Sequence, residues 1–252
     1  MRLVRFRFGD RIATGVLAGG EVQPLQGTFF EAPVPTVEAI PADDVRLLAP
    51  VLPSKVVAVG RNYAEHAKEM DEPVPDEPLT FLKPSTSVIG PGDPIVYPPI
   101  SERMDYEGEL AVVIGRLAHR LSLDNAVLAI LGYTCANDVT LRDLQAKDGQ
   151  WTRAKGFDTS CPLGPWIETD VDPADLELTT RVNGEVRQQA RTSDLTFGPA
   201  GLVAFVSAYM TLLPGDVILT GTPAGIGPLQ PGDRVEVEIE GIGSLSNPVV
   251  AA

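Results

Sequence analysis

Pro-Gly-Asp occurs three times, at 91–93, 214–216 and 231–233, each time directly before an apolar or alternating run such as DVILT or DRVEVEIE. Proline pre-sets φ for the second position of a turn and glycine accepts the positive φ of the third, so each triplet reads as a turn that launches a strand. Gly and Pro together supply 47 of the 252 residues (24 and 23), which suits many short strands joined by tight turns. The residues around the triplets match over no fixed period, so a solenoid is not supported. The expected class is β-rich α+β.

The first residues, MRLVRFRFGDR, alternate Arg2, Arg5 and Arg7 with Val4, Phe6 and Phe8. That alternation predicts a first strand, not the apolar core of a secretory signal or an amphipathic transit helix. A Pro-rich stretch, EAPVPTVEAIPADD, follows, which predicts a small N-terminal β-module and linker over residues 1–52 and a larger domain over 53–252. The longest mainly apolar run, Ala126 to Ala136, falls short of the roughly 20 residues that span a bilayer. Cys135 and Cys161 form neither a disulfide framework nor a zinc motif, and a reduced, cytoplasmic protein is expected. A formal net charge of −14 opposes binding to phosphate backbones and anionic lipid, so neither nucleic acid nor membrane is an expected partner.

Further along, PSKVVAVG predicts a buried strand, and NYAEHAKEM a helix with Asn62 as its N-cap and Glu65 three residues later. DYEGELAVVIGR reads as one strand, acidic then apolar. SLDNAVLAILGY reads as a helix capped by Ser122, YTCANDVT as a strand, and GPAGLVAFVSAYM as a second longer helix.

Alternate side chains of a strand share a face, so Glu107 and Glu109 of DYEGEL project together, with Asp105 on the same side and Gly108 leaving the opposite face open. Like charges this close repel unless a cation lies between them. The apolar LAVVI that follows places them at the mouth of a packed element, where a hard divalent cation would find oxygen ligands. Spacing alone leaves open a solvated strand end or pairing with arginine.

His66 and Glu69 lie three apart in AEHAKEM and share a helix face, where a carboxylate can orient an imidazole that accepts a proton from water. An exposed histidine beside an ordinary surface acid fits the same spacing. His119 has no such partner. GTPAGIGP lacks the Walker lysine and the dinucleotide glycine spacing, but its backbone N–H groups and Thr222 are placed to hold a carboxylate.

Six segments in order, VGRNYAEHAKEM, FLKPSTSVIGPGDPI, DYEGELAVVIG, YTCANDVTLRDLQ, WTRAKGFDTSCPLGP and LLPGDVILTGTPAGIGP, resemble the fumarylacetoacetate hydrolase family over roughly residues 53 to 250. The resemblance implies a mixed β-sandwich roll with a few short helices, assembled as a homodimer. It implies Mg²⁺ or Mn²⁺ on Glu107, Glu109 and Asp138, and a His66–Glu69 dyad on a lid helix. It also implies active-site lysines at Lys83 and Lys155, with Lys155 catalytic, and substrate contacts at Lys83, Arg142, Gln145 and Thr222. Where fumarylacetoacetases proper carry a further acidic ligand, this chain has Gly60-Arg61-Asn62-Tyr63.

The function so implied is carbon–carbon hydrolysis of acylpyruvate-type 2-oxo acids through an enolate, with decarboxylation of oxaloacetate alongside. The alternatives are a 2-hydroxyhepta-2,4-diene-1,7-dioate isomerase or decarboxylase, and a metal-stabilised binding protein without catalysis. Low aromatic content, 6%, argues against a glycosidase built on the paired acids.

Overall fold

A computed structural model describes residues 1–31 and 33–252. Ala32, inside the Pro-rich stretch, lies outside the described residues. All three Pro-Gly-Asp triplets form turns, with Gly92, Gly215 and Gly232 at φ of +75°, +87° and +102°. In each, the aspartate side chain closes the turn by accepting the N–H of the residue before the proline: Gly90 to Asp93 at 2.8 Å, Leu213 to Asp216 at 2.8 Å and Gln230 to Asp233 at 2.7 Å. Strands Ile95–Tyr97, Val217–Leu219 and Arg234–Ile239 follow.

The centre of the main sheet is Gly108–Ile114, buried throughout. It runs antiparallel to Ile130–Asn137 on one side and to Val217–Leu219 on the other. Beyond Val217–Leu219 lies Val56–Gly60, parallel to it, and then Leu79–Lys83. Beyond Ile130–Asn137 lies Cys161–Glu168, which pairs with Arg2–Phe8 and so joins the N-terminal strands to the same sheet. Both faces of the central strand are covered, which is why LAVVI is apolar without alternation. Ala111 and Val113 face Leu3, Leu25, Phe29 and Val51 of the N-terminal part.

On the opposite face, Leu110 meets Leu178, Val237, Ile239 and Leu245 of a second sheet, ordered Ile95–Tyr97, Gly243–Ala251, Arg234–Ile239, Glu177–Val182, Glu185–Arg191. Val112 and Ile114 pack against two helices, Leu123–Ala129 and Pro199–Tyr209, through Ala126, Leu202, Val203 and Val206. Each fully buried branched side chain there contributes about 1.5–3 kcal/mol. The result is the expected β-rich sandwich roll with few helices.

Three local expectations change. DYEGEL is not one strand: Met104–Tyr106 belongs to a separate small sheet, Glu107 sits at the break, and the main-sheet strand starts at Gly108. The face opposite the acids is not open either, since a Cβ on Gly108 would lie 2.0 Å from Thr180 Oγ1. Asn62 does not cap the helix Ala64–Glu69, whose N-cap position is Tyr63. Its amide instead donates to the carbonyls of Phe197 and Thr220 and accepts the Phe197 N–H. Two short polar helices, Arg142–Asp148 and Thr152–Lys155, carry no apolar periodicity and were not legible in the sequence.

Asp216 also binds the N–H groups of Ser54 and Lys55, the Ser54 hydroxyl and the Lys55 ammonium. Burial would raise its carboxyl, yet the Leu213 N–H, Lys55 and Ser54 hold it below the ordinary range. Asp216→Ala leaves these donors without their acceptor and is expected to cost about 3 kcal/mol, a fall of roughly 6–12 °C in thermal midpoint by calorimetry. Because the folded value is depressed, the wild-type advantage should be present above the ordinary aspartate range and vanish as pH falls below it.

Candidate active site

The break at Glu107 aims three carboxylates at one point. The Glu107 N–H donates to Asn137 Oδ1 at 2.9 Å and the Asp138 N–H donates to the Glu107 carbonyl at 2.9 Å. Pairing of Gly108 with Asn137 then sets Asp138 beside Glu107. Glu109, one residue into the strand, accepts the Gly221 N–H at 2.6 Å. Oxygens of Glu107, Glu109 and Asp138 all lie within 4.8 Å of one another, and the three residues are buried.

Lys155 reaches in from the end of its short helix. Its ammonium donates to Glu107 at 2.8 Å, to Asp138 at 2.7 Å and to the Thr140 hydroxyl at 2.7 Å. Burial alone would depress Lys155, but Asp138 and Glu107 hold it above the ordinary lysine value. Burial would likewise raise Glu107, but Lys155 and Arg142 hold it well below the carboxylate range. Glu109 forms no ion pair among the described residues: burial, Asp138 and Glu107 push its carboxyl well above the usual value, against the opposing charge of Lys155. An all-oxygen, buried set of three acids with one member short of positive charge fits a hard divalent cation.

Asp105 stands outside this set, ion-paired to Arg103 at 3.0 Å and Arg142 at 2.9 Å. Arg142 bridges it to Glu107 and also donates to Gln145 Oε1 at 2.9 Å. Lys83, expected against substrate, is fully buried with its ammonium on Asp138 at 2.6 Å and on the Lys155 carbonyl. We assign it to holding Asp138. Lys83→Met is therefore expected to weaken Mn²⁺ binding about 10- to 100-fold by calorimetric titration, as loss of an outer-shell partner does.

A cavity of about 640 Å³ opens at Glu107 and Glu109 and is lined among others by His66, Lys155, Arg142 and Thr222. His66 and Glu69 are paired as expected, Nδ1 to Oε2 at 3.1 Å, which leaves Nε2 as the other ring nitrogen. Glu69 is held in turn by the Gly225 N–H at 3.0 Å. The glycine-rich loop does hold carboxylates, but they are the protein's own, Glu109 and Glu69. The Thr222 hydroxyl donates to the Gly108 carbonyl at 2.9 Å and accepts from Gln188 at 2.7 Å.

Among the lining residues that escaped the sequence reading are Arg61, Glu72, Arg103 and Trp151. Trp151 packs edge-on to Phe81 at 5.2 Å, and Phe81 lies 5.1 Å from the Lys155 ammonium. A charge in GRNY was the only signal for Arg61.

The fumarylacetoacetate (FAA) hydrolase C-terminal family profile matches residues 55–250, and a profile described as Rv2993c-like, N-terminal, matches residues 1–50. This chain belongs to the fumarylacetoacetate hydrolase family. It is 52% identical to 5-carboxymethyl-2-hydroxymuconate delta-isomerase from Mycobacterium smegmatis, with a TM-score of 0.95 over all of both chains. It is 46% identical to the mitochondrial oxaloacetate tautomerase FAHD2A of Homo sapiens, over 84% of this chain and 71% of that one. Maleylpyruvate hydrolase from Sphingobium sp. SYK-6, in complex with manganese (II) ion and pyruvate, is 32% identical, with a TM-score of 0.84 over all of both chains. No helix among the described residues is long and apolar enough to cross a membrane.

Proposed function

We propose that the chain is a divalent-metal-dependent enzyme that moves a proton at the carbon beside the 2-oxo group of a small acid, interconverting enol and keto forms or double-bond isomers. One observation carries this reading: the His66–Glu69 pair lines one cavity together with Glu107 and Glu109 of the three-carboxylate cluster. Glu107, Glu109 and Asp138 would hold Mg²⁺ or Mn²⁺. A cation held there would supply Lewis-acid stabilisation of negative charge developing on a 2-oxo acid. His66, with Nδ1 engaged by Glu69, presents its other ring nitrogen to give or take the proton at carbon. The Lys155 ammonium, whose three donors go to Glu107, Asp138 and Thr140, would hold two of these carboxylates in place and keep positive charge at the cavity wall. Identity favours proton transfer, since the isomerase and tautomerase relatives exceed the hydrolase in similarity.

Carbon–carbon hydrolysis of an acylpyruvate is the second reading, because a carboxylate-oriented imidazole can draw its proton from water as well as from carbon. We extend the proposal to a homodimer in the cytoplasm, with residues 1–52 as an N-terminal module and 53–252 as the catalytic domain. The two cysteines, free and buried, suit a reducing compartment. The test is enol loss from oxaloacetate by ultraviolet absorbance, beside pyruvate release from acetylpyruvate, each with Mn²⁺ and with chelator. Metal-dependent enol loss supports proton transfer, pyruvate release alone supports hydrolysis, and neither from metal-loaded protein sinks both.

A further inference from the structure

Arg61 follows the Val56–Gly60 strand and adopts φ of +57°, a left-handed conformation that a side chain other than glycine rarely takes. Its neighbours hold it there. Asn62 is stapled to Phe197 and Thr220 by three hydrogen bonds, and Gly60 lies so close to Trp151 that a Cβ would come within 2.9 Å of the ring. Strain maintained by over-determined neighbours is a mark of functional positioning. Arg61 thereby lines the same cavity as Glu107, Glu109 and His66.

The arginines on that cavity differ in what they have left to give. Arg142 donates from Nε, Nη1 and Nη2 to Asp105, Gln145 and Glu107. Arg103 donates from Nε and Nη2 to Asp105. Arg61 Nε is buried and has no hydrogen-bond partner among the described residues. Its Nη1 donates at 2.9 Å to Glu72, whose side chain is 54% exposed. A buried, unpartnered N–H on a charged fork carries a desolvation penalty that an anionic acceptor removes, and an exposed ion pair such as Arg61–Glu72 is weak enough to exchange.

We propose that Arg61 binds the distal carboxylate of the substrate, so that the enzyme selects dicarboxylic over monocarboxylic 2-oxo acids. The planar fork of arginine meets a carboxylate through two parallel N–H bonds, and Glu72 takes one of those donors when no diacid is present. This assignment rests on reading the cavity as the substrate site.

The test uses inert 2-hydroxy analogues, malate as the diacid and lactate as the monoacid, titrated calorimetrically into the Mn²⁺-loaded full chain. Wild type should prefer malate. Arg61→Met should lower the malate-to-lactate affinity ratio about 10- to 100-fold, the size of a lost charge-assisted pair. Arg61→Lys keeps the charge without the fork and should fall between them. Glu72→Gln, which weakens the competing partner, should raise the ratio, and it keeps the test alive should Arg61→Met fail to fold. Equal affinity for the two acids in wild type, binding of neither, or a ratio unmoved by the variants overturns the proposal. A ratio that falls in a protein without enol–keto turnover defeats the proposed reaction and leaves Arg61 its role, whereas turnover with an unmoved ratio does the reverse.

Discussion

Glu109→Gln is expected to lose divalent-metal binding and turnover together while making the metal-free protein more stable. Loss of an outer-shell partner costs 10- to 100-fold in metal affinity, so removal of a ligand charge should exceed about 100-fold. The opposite sign for stability follows from the environment. Burial and the two neighbouring acids raise the Glu109 carboxyl well above its ordinary value. A carboxyl raised in the folded state contributes fully below the unfolded value and loses that contribution as pH climbs toward the folded one. The metal-free wild type should therefore weaken as pH rises above the ordinary glutamate range, and the glutamine variant should not, since glutamine still accepts the Gly221 N–H. Thermal midpoints at pH 8 with chelator, beside Mn²⁺ titration calorimetry, read both effects. A variant that binds Mn²⁺ as wild type does would remove Glu109 from the metal set. The same linkage predicts metal affinity that increases with pH, because binding must displace the Glu109 proton.

His66→Ala should separate chemistry from binding. General acid–base groups contribute roughly 10²- to 10⁴-fold, and kcat should fall by that amount with Mn²⁺ affinity nearly unchanged. Glu69→Gln should cost less, because the imidazole remains while its orienting charge goes. If acylpyruvate hydrolysis is also present, His66→Ala should damage it more than oxaloacetate decarboxylation, which needs no activated water. Equal loss in the two reactions would refute that division. Steady-state kinetics at saturating Mn²⁺ give the answer.

Much of the local architecture was legible because its causes are local. The Pro-Gly-Asp triplets contain both the φ preferences of a turn and the aspartate that closes it, within four residues. Strand Gly108–Ile114 and helix Pro199–Tyr209 follow from their runs of apolar residues, and His66 meets Glu69 because helix periodicity alone brings residues three apart together. Helices Arg142–Asp148 and Thr152–Lys155 were hidden because they are short and polar, and are held by what they deliver, Arg142 and Lys155, to Asp105, Glu107 and Asp138.

The rest was settled by contacts between distant segments. Glu107 and Asp138 are 31 positions apart, and only the register that sets Gly108 against Asn137 makes them neighbours. Asn62 had the composition of a helix cap, but one strand end, at Thr220, and one loop, at Phe197, offered its amide stronger company than one helix N–H could. Lys83 is carried to Asp138 by pairing of Leu79–Lys83 with Val56–Gly60, and nothing within either segment anticipates it. Turn chemistry, alternation and helix periodicity act within a few residues and can be read from the chain itself. The convergence of buried charges depends on strand register across the whole sheet, which tertiary packing alone decides.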